Sequence, residues 1–129
     1  MARNEVYKDA DFLSLPVATG ALSGSPARIG GLNVVLQTNE GSLDIPAGGA
    51  WSEAASSNKA GYASVTLKGA FRIPVATTTA LAIGDPVYIV TASNTLTTTS
   101  NSSANPVFGH ALSVKGTTAN QPVIVRIAN

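Results

Sequence analysis

The chain carries a single histidine, His110, in the run FGHALSV, and this is the first place to look for a general base. A catalytic imidazole needs a nucleophile within hydrogen-bond reach and an acceptor, usually a carboxylate, that orients its second nitrogen. Ser113 is near in sequence, but no Asp or Glu stands at a spacing that builds a triad. His110 instead reads as a residue beside the core, on one strand face with Phe108, Leu112 and Val114. Asp85 lies in a Gly-Asp-Pro turn, where Asp commonly bonds its own backbone. Asp9 and Asp11 could be imagined as a calcium pair, but no DxDxDG loop or bidentate Glu follows, and they read as part of a solvated arm. Gly30-Gly31 and Gly48-Gly49 have neither the GxxxxGK[ST] pattern nor the strand–helix context of a phosphate loop. Trp51, the only tryptophan, could stack a sugar, pin its own loop, or pack at a subunit interface. No catalytic, cofactor-binding or metal-binding residue is assigned, and the reading is of a protein that is not an enzyme.

Composition narrows the partners. The 129 residues hold no Cys, which excludes disulfides, Cys-ligated zinc and thiol catalysis and fits synthesis in a reducing cytoplasm. Eight Lys or Arg and seven Asp or Glu leave a net charge of +1. The cations are scattered, so no basic patch exists to neutralise phosphates, and nucleic acid is not an expected partner. No apolar run approaches the ~18 residues of a membrane span, and MARNEVYKDADF has no apolar core of a signal peptide. Few charges and abundant Ala, Gly, Ser and Thr favour association, as in an assembly.

The elements are strands. Across residues 61–76 the odd positions run Gly61, Ala63, Val65, Leu67, Gly69, Phe71, Ile73, Val75, and the even positions include Tyr62, Ser64, Thr66, Lys68 and Arg72. Period-two alternation of this length is extended chain with one buried face. Lys68-Gly69 marks a turn or bulge within it, and Pro74 places its strand at an edge or end. Residues 32–38, 86–91, 106–115 and 122–128 are further expected strands, and a Thr-rich strand at 95 runs into a polar loop to 105. A Gly/Ala/Ser-rich insertion at about 40–60 is a surface excursion. The expected core includes Leu36, Val65, Leu67, Phe71, Ile73, Val87, Ile89, Leu112, Val114, Val125 and Ile127.

Two motif pairs recur. LPVATGALSGSPARI at 15–29 matches IPVATTTALAIGDPVYI at 73–89, and GYASVTLKG at 61–69 matches GHALSVKG at 109–116. Two copies are too few for a solenoid. They predict an all-β fold, a small barrel or sandwich, whose pseudo-repeated halves at about 12–69 and 71–128 superpose by a pseudo-two-fold rotation. Residues 1–11 form an extended N-terminal arm outside the repeats, and 12–129 a single β domain.

NEVYKDADFLSLPV, GYASVTLKGAFRIPVA, IGDPVYI and FGHALSVKG…PVIVRIA together resemble a family of small tailed-phage proteins, the capsid cement or decoration proteins. The resemblance spans nearly the whole chain except the 40–60 insertion, which replaces a shorter linker. It implies an all-β structural protein that binds the outside of the head after expansion, usually as trimers at three-fold and quasi-three-fold positions. The implied partners are the major capsid protein and further copies of the chain. The implied location is the capsid exterior of the virion, after synthesis in the host cytoplasm, with no cofactor and no catalysis. A surface module for carbohydrate or host adhesion is the alternative.

Charge distribution places the contacts. Five of the charged residues fall in the first eleven positions, whereas none occurs from Pro86 to Val114. The arm residues Ala2, Arg3, Asn4, Glu5, Val6, Tyr7 and Lys8 are expected on a neighbouring capsid or cement subunit; the competing arrangement folds them back as an edge strand. The uncharged region is expected between subunits, with Thr97 and Thr99 as test positions, because interface centres are depleted in charge.

Overall fold

The structure, a computed structural model, describes residues 10–41 and 59–129. The alternating run that begins at Gly61 forms two strands, β4 (Tyr62–Thr66) and β5 (Ala70–Val75), and the two belong to different sheets. Gly69, between them, has φ of +114°, a backbone region open essentially to glycine alone. Burial alternates along the run except at Thr66, which is buried directly after Val65, and the core that is entered changes: Val65 and Leu67 pack in one cluster, Phe71, Ile73 and Val75 in another.

The first sheet is open and four-stranded. It comprises β1 (Phe12–Pro16), β2 (Pro26–Ile29), β3 (Leu32–Leu36) and β4, in the order β1-β4-β3-β2. The second is a closed barrel of β5, β6 (Pro86–Val90), β7 (Thr95–Thr97), β8 (Val107–Ala111) and β9 (Gln121–Ile127), in the order β5-β7-β6-β8-β9. The only parallel contact between named strands is Val75 with Leu96, where β7 closes the ring against β5. Pro74 lies opposite Pro122 near that end of β5, where a missing N–H leaves few ladder bonds unmade. The fold is all-β, as expected.

Alternation across 32–38 would set Leu32, Val34 and Leu36 on one face against Asn33, Val35 and Gln37. Instead Asn33, Val34, Val35 and Leu36 are all buried, and Leu32 is exposed. Val34 and Leu36 join Ala27, Ala63 and Val65, while Val35 joins the barrel core. Strand β3 is therefore the seam between the sheets, and a seam strand has no solvent face.

Leu36, Val65, Ile73, Val87, Ile89, Val125 and Ile127 are buried as expected. Leu67 and Phe71 are only partly buried, packed at the margins of their clusters. Leu112 and Val114 correct the expectation: they are 44% and 66% exposed. The cause is a bulge. Val87 pairs with Gly109 but Tyr88 pairs with Val107, which leaves Phe108 as an extra residue and shifts the phase of everything after it. Phe108, Gly109 and Ala111 face inward and His110 faces out.

The two Gly-x-Pro turns occupy matching places. Gly24 and Gly84 both have positive φ, and Pro26 and Pro86 each begin a strand. Gly24 N–H donates to the Leu36 carbonyl and Leu36 N–H to the Ser25 carbonyl; Gly84 and Asp85 make the same two bonds with Ala111. The second motif pair does not match: Gly61 leads into β4, which pairs with β1, whereas Gly109 lies inside β8. The halves also differ in form, one an open sheet and the other a closed barrel.

Candidate interaction surfaces

The expected sites of chemistry resolve into structural roles. Asp85 Oδ2 accepts from Ala82 N–H at 2.8 Å, which closes its own turn. Asp11 forms an exposed ion pair with Lys68 at 3.2 Å, of little energetic weight. His110 is exposed on β8, opposite Pro86 and Arg126. Among the described residues no group of three His, Cys, Asp or Glu is placed to hold a metal ion. No helix among them is long and apolar enough to cross a membrane.

The arm, residues 2–8, lies outside the described residues, as do Asp9, Gly48-Gly49 and Trp51. Thr97 is 6% exposed, and its hydroxyl accepts from Thr99 N–H at 3.3 Å. Thr99 is exposed. Of the two test positions, the surface one is therefore Thr99.

Three features were not legible in the sequence. The first is an apolar patch. Segments 81–85 and 111–115 run side by side through hydrogen bonds between Leu81 and Lys115 and between Gly84 and Ala111. They display Ile83, Leu112 and Val114, which are 67%, 44% and 66% exposed. Large side chains exposed together mark contact surfaces more often than chance, although singly they would need no explanation.

The second is Lys115, 1% exposed beneath that patch. Its Nζ donates to the carbonyls of Thr79, Gly116 and Thr118 at 3.0–3.2 Å, so all three ammonium protons are used. The side chain ties the loop after β5 to the loop before β9. Nothing in a lone Lys flanked by Val and Gly signals this.

The third is a cleft of about 440 Å³ where the open sheet meets the barrel. Leu36, Ile73 and Leu96 form its floor, the 18–22 segment its mouth, and Asn94 and Asn120 part of its rim. No charged and no aromatic residue lines it among the described residues. Asn94 Oδ1 also accepts from Arg28 N–H at 3.4 Å, which links β2 to the turn between β6 and β7.

Among the described residues the cleft lining carries no charge and no metal-binding group of three is assembled. Comparison with known proteins gives one match, to the family model of the phage cement proteins, over residues 8–127. The chain belongs to the phage cement protein family. No curated protein and no solved structure gives a significant match. The family model runs through the 40–60 insertion and begins inside the arm, so the nine strands among the described residues of this cement protein fall within it. Membership makes it a structural protein of the phage capsid.

Proposed function

We propose that this cement protein binds the outer surface of the phage head between capsomers, as a homotrimer, and stabilises the major capsid protein lattice. The observation that carries the reading is the family match over 8–127, on a fold that exposes Ile83, Leu112 and Val114 on two adjoining segments of the barrel. Ile83, Leu112 and Val114 form the contact face, with Thr99 elsewhere in the uncharged 86–114 stretch. The arm at 2–8 reaches outward to a neighbouring subunit. Each contact is small, and a trimer that docks several at once multiplies them through effective concentration.

The test adds purified protein to expanded, undecorated capsids. Co-sedimentation at a fixed copy number and a higher capsid melting temperature are expected, with light scattering of the free protein reporting a trimer. Failure to bind capsids, together with affinity for a glycan, would favour a surface adhesion module instead. Among the described residues the cleft gives that alternative little support, because sugar recognition draws on exposed aromatic faces and none of them lines it.

A further inference from the structure

We propose that Arg72 and Arg126 are a steering pair that draws the barrel onto carboxylates of the major capsid protein. The inference deepens the cement reading and rests on it, since it names the chemistry that the contact face recognises and the step of binding that it serves.

The distribution of partners singles out the two residues. Among the described residues, Lys68 pairs with Asp11, three carbonyls hold Lys115, the Arg28 guanidinium donates to Asn33 Oδ1 at 2.6 Å, and the Lys59 ammonium lies 4.3 Å from the centre of the Tyr62 ring. Arg72 and Arg126 are the remaining cations there. Both are exposed, and neither makes a side-chain hydrogen bond or ion pair with a described residue.

The two guanidinium groups share one face of the barrel. Strands β5 and β9 pair Arg72 with Ile124 and Ala70 with Arg126, so the arginines stand on a diagonal, about 7–8 Å apart at Cβ. Ile73, Val125 and Ile127 beside them enter the core, so both arginines point outward. Around them on β5, β9 and β8 stand Ala70, Ile124 and His110, and none of these is acidic. Like charges side by side without a counter-ion contribute nothing to the fold, and their use lies in a field that reaches beyond it.

The pair borders the apolar contact face. Leu112 N–H donates to the carbonyl of Ile124, the residue opposite Arg72. Charges at the rim of an apolar contact speed and orient encounter, while the apolar centre sets how long the partners stay together. Guanidinium forks match carboxylates in bidentate geometry. A nucleic-acid backbone is a poorer fit, because tracking it takes roughly 6–10 phosphate contacts. A second copy is a poorer fit too, because the described carboxylates are engaged: Asp11 by Lys68, Glu40 by Gly61 N–H and Asp85 by Ala82 N–H.

The test compares Arg72→Gln/Arg126→Gln protein with the unaltered protein and with Lys68→Gln, which removes an exposed charge elsewhere. Association with expanded, undecorated capsids is followed by stopped-flow light scattering. The double variant should associate about tenfold more slowly at about 0.05 M salt, and the deficit should vanish at about 0.5 M. Its dissociation rate and melting temperature should match those of the unaltered protein. Capsids whose carboxylates have been amidated with carbodiimide and glycinamide should take up the unaltered protein at the variant's rate. Equal association at low salt, a deficit that persists at high salt, an equal deficit in Lys68→Gln, or an advantage retained on amidated capsids would overturn the proposal. So would loss of the free trimer in the double variant, which places the pair between copies, or retention on double-stranded DNA that only the unaltered protein shows, which assigns the pair to phosphate. Binding of both proteins at one rate sinks the steering pair and leaves the cement reading standing; binding of neither sinks both.

Discussion

Asn33 and Asn129 hydrogen-bond each other twice. Asn33 N–H donates to Asn129 Oδ1 at 2.8 Å, and Asn129 Nδ2 donates back to the Asn33 carbonyl at 2.8 Å. A side-chain amide thus stands in for a neighbouring strand beside β3. The Asn33 side chain completes the joint, with Nδ2 bonded to the carbonyls of Val107 and Ala128 and Oδ1 accepting from Arg28. The open sheet is held to the barrel by amides as well as by Val35. Asn33→Ala would leave the part-buried Val107 and Ala128 carbonyls without this donor and is expected to cost about 1–3 kcal/mol in urea unfolding. Asn129→Ala should cost less, because its site is more exposed. A loss under 0.5 kcal/mol for Asn33→Ala would show that water replaces the joint.

Gly109→Ala is the most damaging single methyl expected in the chain. A Cβ there would run into the Arg126 carbonyl of β9, and backbone cannot step aside as a side chain can. The loss should reach ~3 kcal/mol or more. Gly31→Ala is the control, since open space surrounds it and its φ is not positive; it should change stability little.

Residues Asn101, Ser102 and Ser103 have φ of 50°, 54° and 72°, three successive non-glycine residues in the left-handed region. Each such residue costs roughly 1–2 kcal/mol relative to the right-handed form. Ser103→Gly relieves that cost and forfeits some through the freer unfolded chain. A net gain of about 0.5–1 kcal/mol is expected in thermal unfolding; destabilisation would mean that the serine side chain holds the turn.

Lys115→Met leaves three carbonyls without their donor and should destabilise the domain by about 2–4 kcal/mol. An acylating reagent applied to the native protein should modify Lys59 and Lys68, which are exposed, long before Lys115. Acylation of all three at one rate would refute the enclosed ammonium.

Core and patch separate stability from binding. Val65→Ala and Ile127→Ala should each cost about 1–4 kcal/mol through the cavity left behind. Val114→Lys should leave the melting temperature unchanged and lower capsid occupancy. Full occupancy of Val114→Lys particles would show the patch facing solvent.

Alternation exposed the strands to sequence reading because each has one wet face: Ala63, Val65, Ile73, Val125 and Ile127 were all legible. The method failed where its premise failed. Strand β3 has no wet face, and the bulge at Phe108 slips the period that would have carried Leu112 and Val114 inward; Gly109 was the one local hint of it. The cleft joins distant segments, Lys115 meets Thr79 36 positions away, and Asn33 meets Asn129 96 positions away. No local pattern encodes them. The Gly-x-Pro turns were legible because their geometry is set by the three residues themselves.

The scarcity of charge around Ile83, Leu112 and Val114 has a consequence for endurance. Attachments made through such surfaces leave dissolved ions little to screen and proton traffic little to neutralise. Salt that loosens ion-paired particles would leave these joints in place. Their weakness is temperature in the unaccustomed direction, since apolar burial loses force on cooling. A head fastened in this way would hold in brine and slacken in the cold.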